Sequence, residues 1–571
     1  MPKYDKPIPA LLLTDFYKTC HRAFYNPDTK QLVSYWTPRK SRVDGISTVV
    51  CFGLQALIKK YLIDYFDDTF FSRPWEEVCA EYVDYIGTTL RKDVALDEVG
   101  AFKAIHNLGY LPIEINAVPE GSLVPIGCPM IEFRATEEWA FWLVNYLETL
   151  MSCNLWMPMT AATIAYHNRK LIDEWFDKTV DDDIPRHSAA GDFSMRGMTG
   201  IDAAVMADAG HLLSFSSTAT IPTAWWLKNF YDATLNVCKG TPSTEHSVVE
   251  SYGKDSELDM YQHIAFDVMP NGVLSMVSDT WDIWNVITHE LPQIKDRILS
   301  RNGKIVIRPD SGNPVDIICG TFRFCDALTM PVGSTNDDIR KQVTEWAIDE
   351  WNGESNEYTV AIRIGNTIRT VTAYHEWCFD EGAYVSAIDE IDIGEPRNLT
   401  PSELGVVELL WNLFGGTVNS KGYKVLDSHI GVIYGDAITH DRAEAIYRRL
   451  AEKDFASNNV VLGFGSYTYQ YVTRDTFGFA LKVTHGIVGD EERMMWKDPV
   501  TDRGSHSAGK KSQKGMCVVA KGEDGAISYT DGHTIAESDS ADNLLQPVFK
   551  NGELLQNEDF MTIRARLHPN F

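Results

Sequence analysis

Short β-rich runs alternate with helical patterns through the second half of this chain, and that alternation limits the possible folds more than any other feature. The runs are Val273 to Val277, Lys304 to Ile307, Ile430 to Tyr434, Val460 to Phe464 and Phe479 to Val483. Strands separated by helices require a parallel sheet or barrel with right-handed crossovers, so the expected core is α/β and barrel-like. Such folds place their chemistry at the C-terminal ends of strands. Ile305-Val306-Ile307 ends in Arg308-Pro309-Asp310-Ser311-Gly312-Asn313-Pro314, where two prolines and a glycine stop the strand in a polar turn. A cation, Arg308, and a carboxylate, Asp310, therefore stand at a strand mouth. Ser278-Asp279 follows the strand ending at Val277, and Gly435-Asp436 follows Tyr434. Three strand-end aspartates exceed what stapling loops requires.

Residues 1–180 read as an N-terminal α+β domain with long helices. Phe52 to Tyr65 has helical spacing, Leu111 to Phe133 alternates as a hairpin punctuated by Pro119 and Gly121, and Glu138 to Trp175 reads as a long apolar helix broken near Pro158. The barrel rhythm occupies 181–318 and 405–515. Between them, 319–404 is an insertion with an acidic helix over Asp337 to Trp351 and a hairpin, Tyr358 to Thr372, turning at Gly365-Asn366. Residues 516–571 form a C-terminal segment expected to pack back on the N-terminal domain.

The net charge of -28 argues against a general nucleic-acid or anionic-membrane binder. Any phosphate ligand must therefore meet a local basic cluster, for which Arg474, Lys482, Lys497 and Lys510 are candidates. Ten cysteines without CxxC spacing suggest neither a zinc site nor a disulfide scaffold, and a reducing cytoplasm fits. The apolar run Ile8 to Leu13 is closed by Asp15 and no apolar run is long enough to span a bilayer, so neither a signal peptide nor a membrane protein is expected. Asp192-Phe193-Ser194-Met195-Arg196-Gly197 reads as a strand end running into a turn that presents Phe193 and Arg196. In Glu245-His246 a histidine sits beside a carboxylate able to polarise it as a nucleophile.

Taken together and in order, Thr14-Asp15-Phe16-Tyr17-Lys18, Asp192-Phe193 with Arg196-Gly197, Glu245-His246-Ser247, Val277-Ser278-Asp279, Arg308-Pro309-Asp310-Ser311-Gly312-Asn313-Pro314, Tyr434-Gly435-Asp436, Thr473-Arg474-Asp475 and Lys497-Asp498-Pro499 resemble the nicotinamide phosphoribosyltransferase family, in its bacterial and bacteriophage branch. The resemblance implies a type II phosphoribosyltransferase fold, an irregular α/β barrel core with an additional α+β domain, in a homodimer with shared active sites. By matching motif, it implies that Phe193 and the partner subunit's Tyr17 sandwich a pyridine ring. Arg196, Arg308, Ala219, Ser278, Gly435 and Asp436 would contact substrate, and Arg39, Arg474, Lys482, Lys497 and Lys510 would bind phosphates. Asp279 and Asp310 would place Mg²⁺, and His246 would be the histidine phosphorylated by ATP. Breaking a ribose–pyrophosphate bond builds positive charge on the sugar and negative charge on the leaving group, which suits carboxylates and cations in these roles.

Two departures from the family pattern stand out. Ala219 replaces the aspartate that receives the carboxamide of nicotinamide, which leaves the choice between nicotinamide and nicotinic acid open. The insertion follows the Arg308/Asp310 loop and carries Arg363, Arg369, Tyr374 and Trp377. It is either an ornament or dimer-contact element, with phosphoribosyl pyrophosphate as donor, or a wall for the adenylate of ADP-ribose pyrophosphate, in which case the product is NAD. The first is the preferred expectation; a non-catalytic nucleotide-binding relative is the alternative of another class.

Overall fold

The computed structural model describes residues 6–323, 327–349, 356–380, 383–435, 437–498 and 512–571. Two compact units emerge, and neither is continuous in sequence. The first comprises residues 1–170, 186–240 and 464–571, and the second 171–185 and 241–463. This differs from the division expected from sequence rhythm: 186–240 and 464–515 group with the N-terminal segment, and the insertion belongs to the second unit.

The first unit is built on a seven-stranded antiparallel sheet, ordered Glu491–Met494, Phe479–Val488, Thr29–Pro38, Ile131–Ala135, Ile113–Ala117, Gln546–Lys550 and Glu553–Leu554. Thr29–Pro38 is buried along most of its length, Ser34 and Thr37 included, and Trp36 stacks flat on Phe479 at 5.4 Å. Phe479–Val488 is therefore not a barrel strand; it pairs antiparallel with Thr29–Pro38. The expected Leu111–Phe133 hairpin is also divided: its outer strands pair with each other, while Leu123–Pro125 pairs with Thr48–Val50. The helix expected to break near Pro158 runs unbroken from Leu143 to Thr179. Glycines crowd around the proline: a Cβ on Gly53 would strike its ring and one on Gly210 would lie 2.9 Å from its carbonyl oxygen. The helix thus continues through a residue that cannot donate its own backbone hydrogen bond, with two glycines packed against that residue.

In the second unit the strands Val460–Phe464, Ile430–Tyr434, Asn302–Arg308 and Asn271–Val277 lie side by side in that order, all parallel. Most of their β-branched residues, among them Val277, Ile305, Ile307, Ile430, Val432 and Val460, are buried because helices cover such sheets. The insertion has its own small core, with helix Asn336–Asp349 supplying Ile339, Val343 and Ala347 against Ile362 and Val371 of the sheet. The hairpin turns at Gly365-Asn366 as expected, Ile364 facing Thr367 and Gly365 at φ +58°. Arg363 is directed inward: it donates to Glu408, which also receives Lys453 Nζ at 2.9 Å, and all three are buried.

Candidate functional site

In the second unit the chemistry collects where strands Asn271–Val277 and Asn302–Arg308 end. They are parallel neighbours with Val277 opposite Arg308, so the turns that follow emerge together. Asp279 Oδ2 accepts three hydrogen bonds from the neighbouring turn: Asp310 N at 2.8 Å, Ser311 N at 2.7 Å and Ser311 Oγ at 2.6 Å. Its other oxygen, Oδ1, is buried with no protein partner among the described residues. Tyr434, at the end of the next strand, donates to Gly312 O at 3.0 Å. This holds the turn from its other side. Gly312 takes φ +87° and Ala437, just beyond the Gly435 loop, φ +50°. A left-handed alanine costs energy and persists only where its surroundings impose it.

His246 opens the helix His246–Tyr252 and reaches this turn. The segment before it lies along Asn271–Val277: Thr244 N donates to Ser275 O at 3.0 Å, and Val277 N to Thr244 Oγ1 at 2.9 Å. Arg308 Nη2 donates to Thr244 O at 2.8 Å. His246 Nδ1 is 3.0 Å from Thr280 Oγ1, and Nε2 is 3.6 Å from Asp310 Oδ2. The expected polarising group was Glu245, but that carboxylate accepts instead from Ser247. Helix geometry is the reason, since adjacent residues at a helix start point to different sides. The histidine and Asp310 both keep about a third or more of their side chains exposed, so both are reachable by a substrate.

Ser278, expected to contact substrate, has its side chain turned into the protein. It is fully buried, donating to Met276 O at 2.8 Å and accepting from Tyr261 OH at 2.7 Å. Beyond the strand end at Val277 the Ser278 side chain bonds back to Met276 while that of Asp279 reaches the neighbouring turn. Asp436 and Lys510, both expected site residues, lie outside the described residues.

In the first unit a cluster of cations surrounds the end of the strand Thr29–Pro38. Register places Tyr35 opposite Lys482, and Arg39 is tied to the turn before Phe479 through Nε donating to Gly478 O at 3.0 Å. Burial lowers the pKa of Arg39, with the Arg474 charge acting in the same direction. The Lys482 ammonium is also pushed down, by burial first; Glu148 opposes this, while Arg39, Lys18 and Arg474 reinforce it. Cations that depress one another's pKa are short of anionic partners. Arg474 pairs with Asp475 at 3.6 Å, and Lys18 pairs with Glu148. Sequence spacing did not reveal Lys18 as a member. Lys497 is exposed, and its backbone pairs with Ser512. Tyr17 is 58% exposed, its ring edge-on to His21 at 5.1 Å.

The same unit carries Phe193 and Arg196. Phe193 N donates to Phe464 O at 2.9 Å, and a Cβ on Gly197 would collide with Ser466, so glycine is required directly after Arg196. Ala219 and Arg196 are exposed, and Phe193 is half-buried.

A parallel sheet with carboxylates, histidine and arginine at its strand ends, in one chain with an antiparallel unit bearing a cation cluster, defines an α/β transferase of the type II phosphoribosyltransferase fold. Solved structures share that fold. Nicotinate-nucleotide pyrophosphorylase from Pyrococcus furiosus superposes with a TM-score of 0.52 at 11% identity, covering 99% of this chain and 97% of its own. Human nicotinic acid phosphoribosyltransferase gives 0.50 at 14%, covering 98% and 93%. Residues 189–553 match the nicotinate phosphoribosyltransferase (NAPRTase) family. Nicotinamide phosphoribosyltransferase of Acinetobacter baylyi is 35% identical over 97% of this chain and 96% of its own, and that of Mycoplasma pneumoniae is 29% identical over 87% and 94%. The chain belongs to the nicotinate phosphoribosyltransferase family and is a phosphoribosyltransferase by class.

Proposed function

We propose that the protein joins nicotinamide to phosphoribosyl pyrophosphate, releasing pyrophosphate and nicotinamide mononucleotide, in the salvage of NAD. The observation that carries this reading is the strand-end group of His246, Asp279, Arg308 and Asp310, in a chain similar over nearly its whole length to relatives named for that reaction. Asp310 would hold the ribose and stabilise the positive charge that grows on it, Arg308 would bind its phosphate, and Phe193 would stack on the pyridine. Arg39, Arg474 and Lys482 would bind phosphates, the one anionic feature that so acidic a chain must meet locally. Phe193 would work with Tyr17 of a second subunit in a homodimer.

Asp279 and Asp310 fit Mg²⁺. Asp279 retains a buried oxygen without a protein donor, and among the described residues no group of three or more ligands encloses a metal. That donor set suits a hard cation held by one or two carboxylates together with substrate phosphates. Bound there, Mg²⁺ would supply charge neutralisation for the leaving pyrophosphate. His246, steadied by Thr280, would accept the γ-phosphoryl group of ATP, with ADP leaving. The phosphohistidine would then be hydrolysed to phosphate.

The inward placement of Arg363, bound to Glu408, and the use of Arg369 to hold Asn336 at 3.0 Å favour the smaller donor, because neither is free to face an adenine. Product mass after incubating nicotinamide with each donor separately tests the reading. Mononucleotide from phosphoribosyl pyrophosphate supports it, NAD formed only from ADP-ribose pyrophosphate overturns the donor, and no product from either overturns the activity. Incubation with ATP and Mg²⁺ should also leave an acid-labile phosphate on the protein that His246→Ala lacks.

A further inference from the structure

Ala219 is the tip of the turn after strand Ser217–Thr218, and it puts a methyl group where the family resemblance calls for a carboxylate. Behind this turn two carboxyl groups are completely buried: Asp192, the last residue of strand Ala190–Asp192, and Asp208, in helix Ile201–His211. Asp192 is the strand partner of Thr218, and its carbonyl oxygen receives Ala219 N at 2.9 Å. Its Oδ1 accepts from Ser194 N at 2.6 Å, one residue beyond Phe193, and Thr218 Oγ1 donates to Asp208 Oδ2 at 2.9 Å. The pair is thus hydrogen-bonded to both turns that carry candidate base-binding residues.

The Ser194 hydroxyl bonds to Asp192 and the Thr223 hydroxyl to Asp208, and the two carboxyl groups bond to each other. Two ionised carboxylates can only accept, so a bond between them requires one proton. Burial raises both groups above the usual carboxylate range, and each carboxyl's neighbour is the other. Of the titratable groups around the pair, Tyr469, which faces both carboxyls, and Cys238 are pushed up by burial, and His211, bonded to Tyr469, is pushed down to about 3; the nearby cation is Arg564, which donates to Leu212 O at 2.9 Å and acts on Cys238 and His211. One proton on two carboxyls leaves one negative charge in an apolar surround with no cation paired to it among the described residues.

We propose that this buried Asp192–Asp208 pair determines base specificity: its single negative charge, set behind the turns bearing Phe193 and Ala219, disfavours a pyridine carboxylate while leaving a neutral pyridine carboxamide unopposed. The proposal rests on the base assignment made above. A unit charge a few ångströms behind a pocket wall is worth about ten- to a hundredfold in discrimination, which would offset the missing carboxylate at position 219. Asp208 stands out in sequence as a lone carboxylate among small apolar residues, Ala203-Ala204-Val205-Met206-Ala207-Asp208-Ala209-Gly210.

The test is the ratio of kcat/KM for nicotinamide to that for nicotinic acid, with phosphoribosyl pyrophosphate and the full chain. Asp208→Asn places an amide where the protonated acid stands and keeps the single charge on Asp192, so the ratio should stay within about twofold of wild type. The double variant Asp192→Asn with Asp208→Asn preserves shape but removes the charge, and the ratio should fall about tenfold or more. A double variant that melts with the wild type and keeps its ratio overturns the proposal. A purely structural role would slow both bases and leave the ratio unmoved. If the double variant does not fold, the wild-type ratio decides the matter: it should fall as pH drops from about 7.5 to about 5.5 and a second proton enters the pair, and a constant ratio overturns the proposal. A wild type that prefers nicotinic acid overturns the proposal alone; one that uses neither base overturns the assigned function along with it.

Discussion

Replacing Asp279 with asparagine tests whether the strand-end turn is held by charge. Oδ2 of Asp279 accepts all three hydrogen bonds from the Asp310–Ser311 turn, at 2.6 to 2.8 Å. A bond to an ionised acceptor contributes roughly 1.5–3 kcal/mol, against about 0.5–1.5 for a neutral one, so asparagine weakens each by about 1 kcal/mol. Three such losses come to about 3 kcal/mol, or about a hundredfold in the population of the ordered turn. Because Asp310 rides on that turn, kcat/KM for nicotinamide should fall at least about a hundredfold in Asp279→Asn. Ser311→Ala removes one of the three bonds and none of the charge, and should cost about tenfold. Steady-state kinetics at saturating donor, with thermal melts to confirm folding, measure both. Asp279→Asn within about threefold of wild type, or Ser311→Ala more damaging than Asp279→Asn, would refute the anchoring role.

Arg39→Ala should raise KM for the pyrophosphate donor about ten- to a hundredfold, as expected for one lost charge-assisted contact to phosphate, and should hardly change KM for nicotinamide; an unchanged donor KM would remove Arg39 from the clamp. Glu408→Ala leaves the buried Arg363 and Lys453 without their shared anion, so urea denaturation should show a loss of about 3–5 kcal/mol; a loss below about 1 kcal/mol would contradict it. Glu120 is buried, capping Gly53 N and Gln55 N and accepting from Tyr231, and burial lifts its pKa from 4.5 to about 7. A folded-state pKa above the unfolded one means the stability it contributes is present below pH 4.5 and lost as pH rises through 7. The Tm of Glu120→Gln relative to wild type should therefore rise over that range, and a flat difference would show that the carboxyl is not held protonated.

Local pattern was enough for the elements whose own residues dictate them. The parallel strands ending at Val277, Arg308, Tyr434 and Phe464, the hairpin at Gly365-Asn366 and the strand-end position of Asp279 and Asp310 all follow from β-branched runs stopped by proline, glycine or aspartate. These signals need no partner, because steric limits on φ and the alternation of side chains act within a few residues. What depended on a partner was not legible. Phe479–Val488 has the same local character as a barrel strand, yet it joins the antiparallel sheet beside Thr29–Pro38 because that strand offers the free edge. Pro158 lies inside a continuous helix, with Gly53 and Gly210 from elsewhere in the chain packed against it. Glu245 adjoins His246 in sequence, but Thr280 and Asp310 are its partners in space. Nor does spacing show that Asp192 and Asp208, sixteen positions apart, meet across a strand and a helix. Propensity and turn chemistry are written in neighbouring residues, whereas pairing, charge coupling and burial belong to contacts that exist only once the chain has closed on itself.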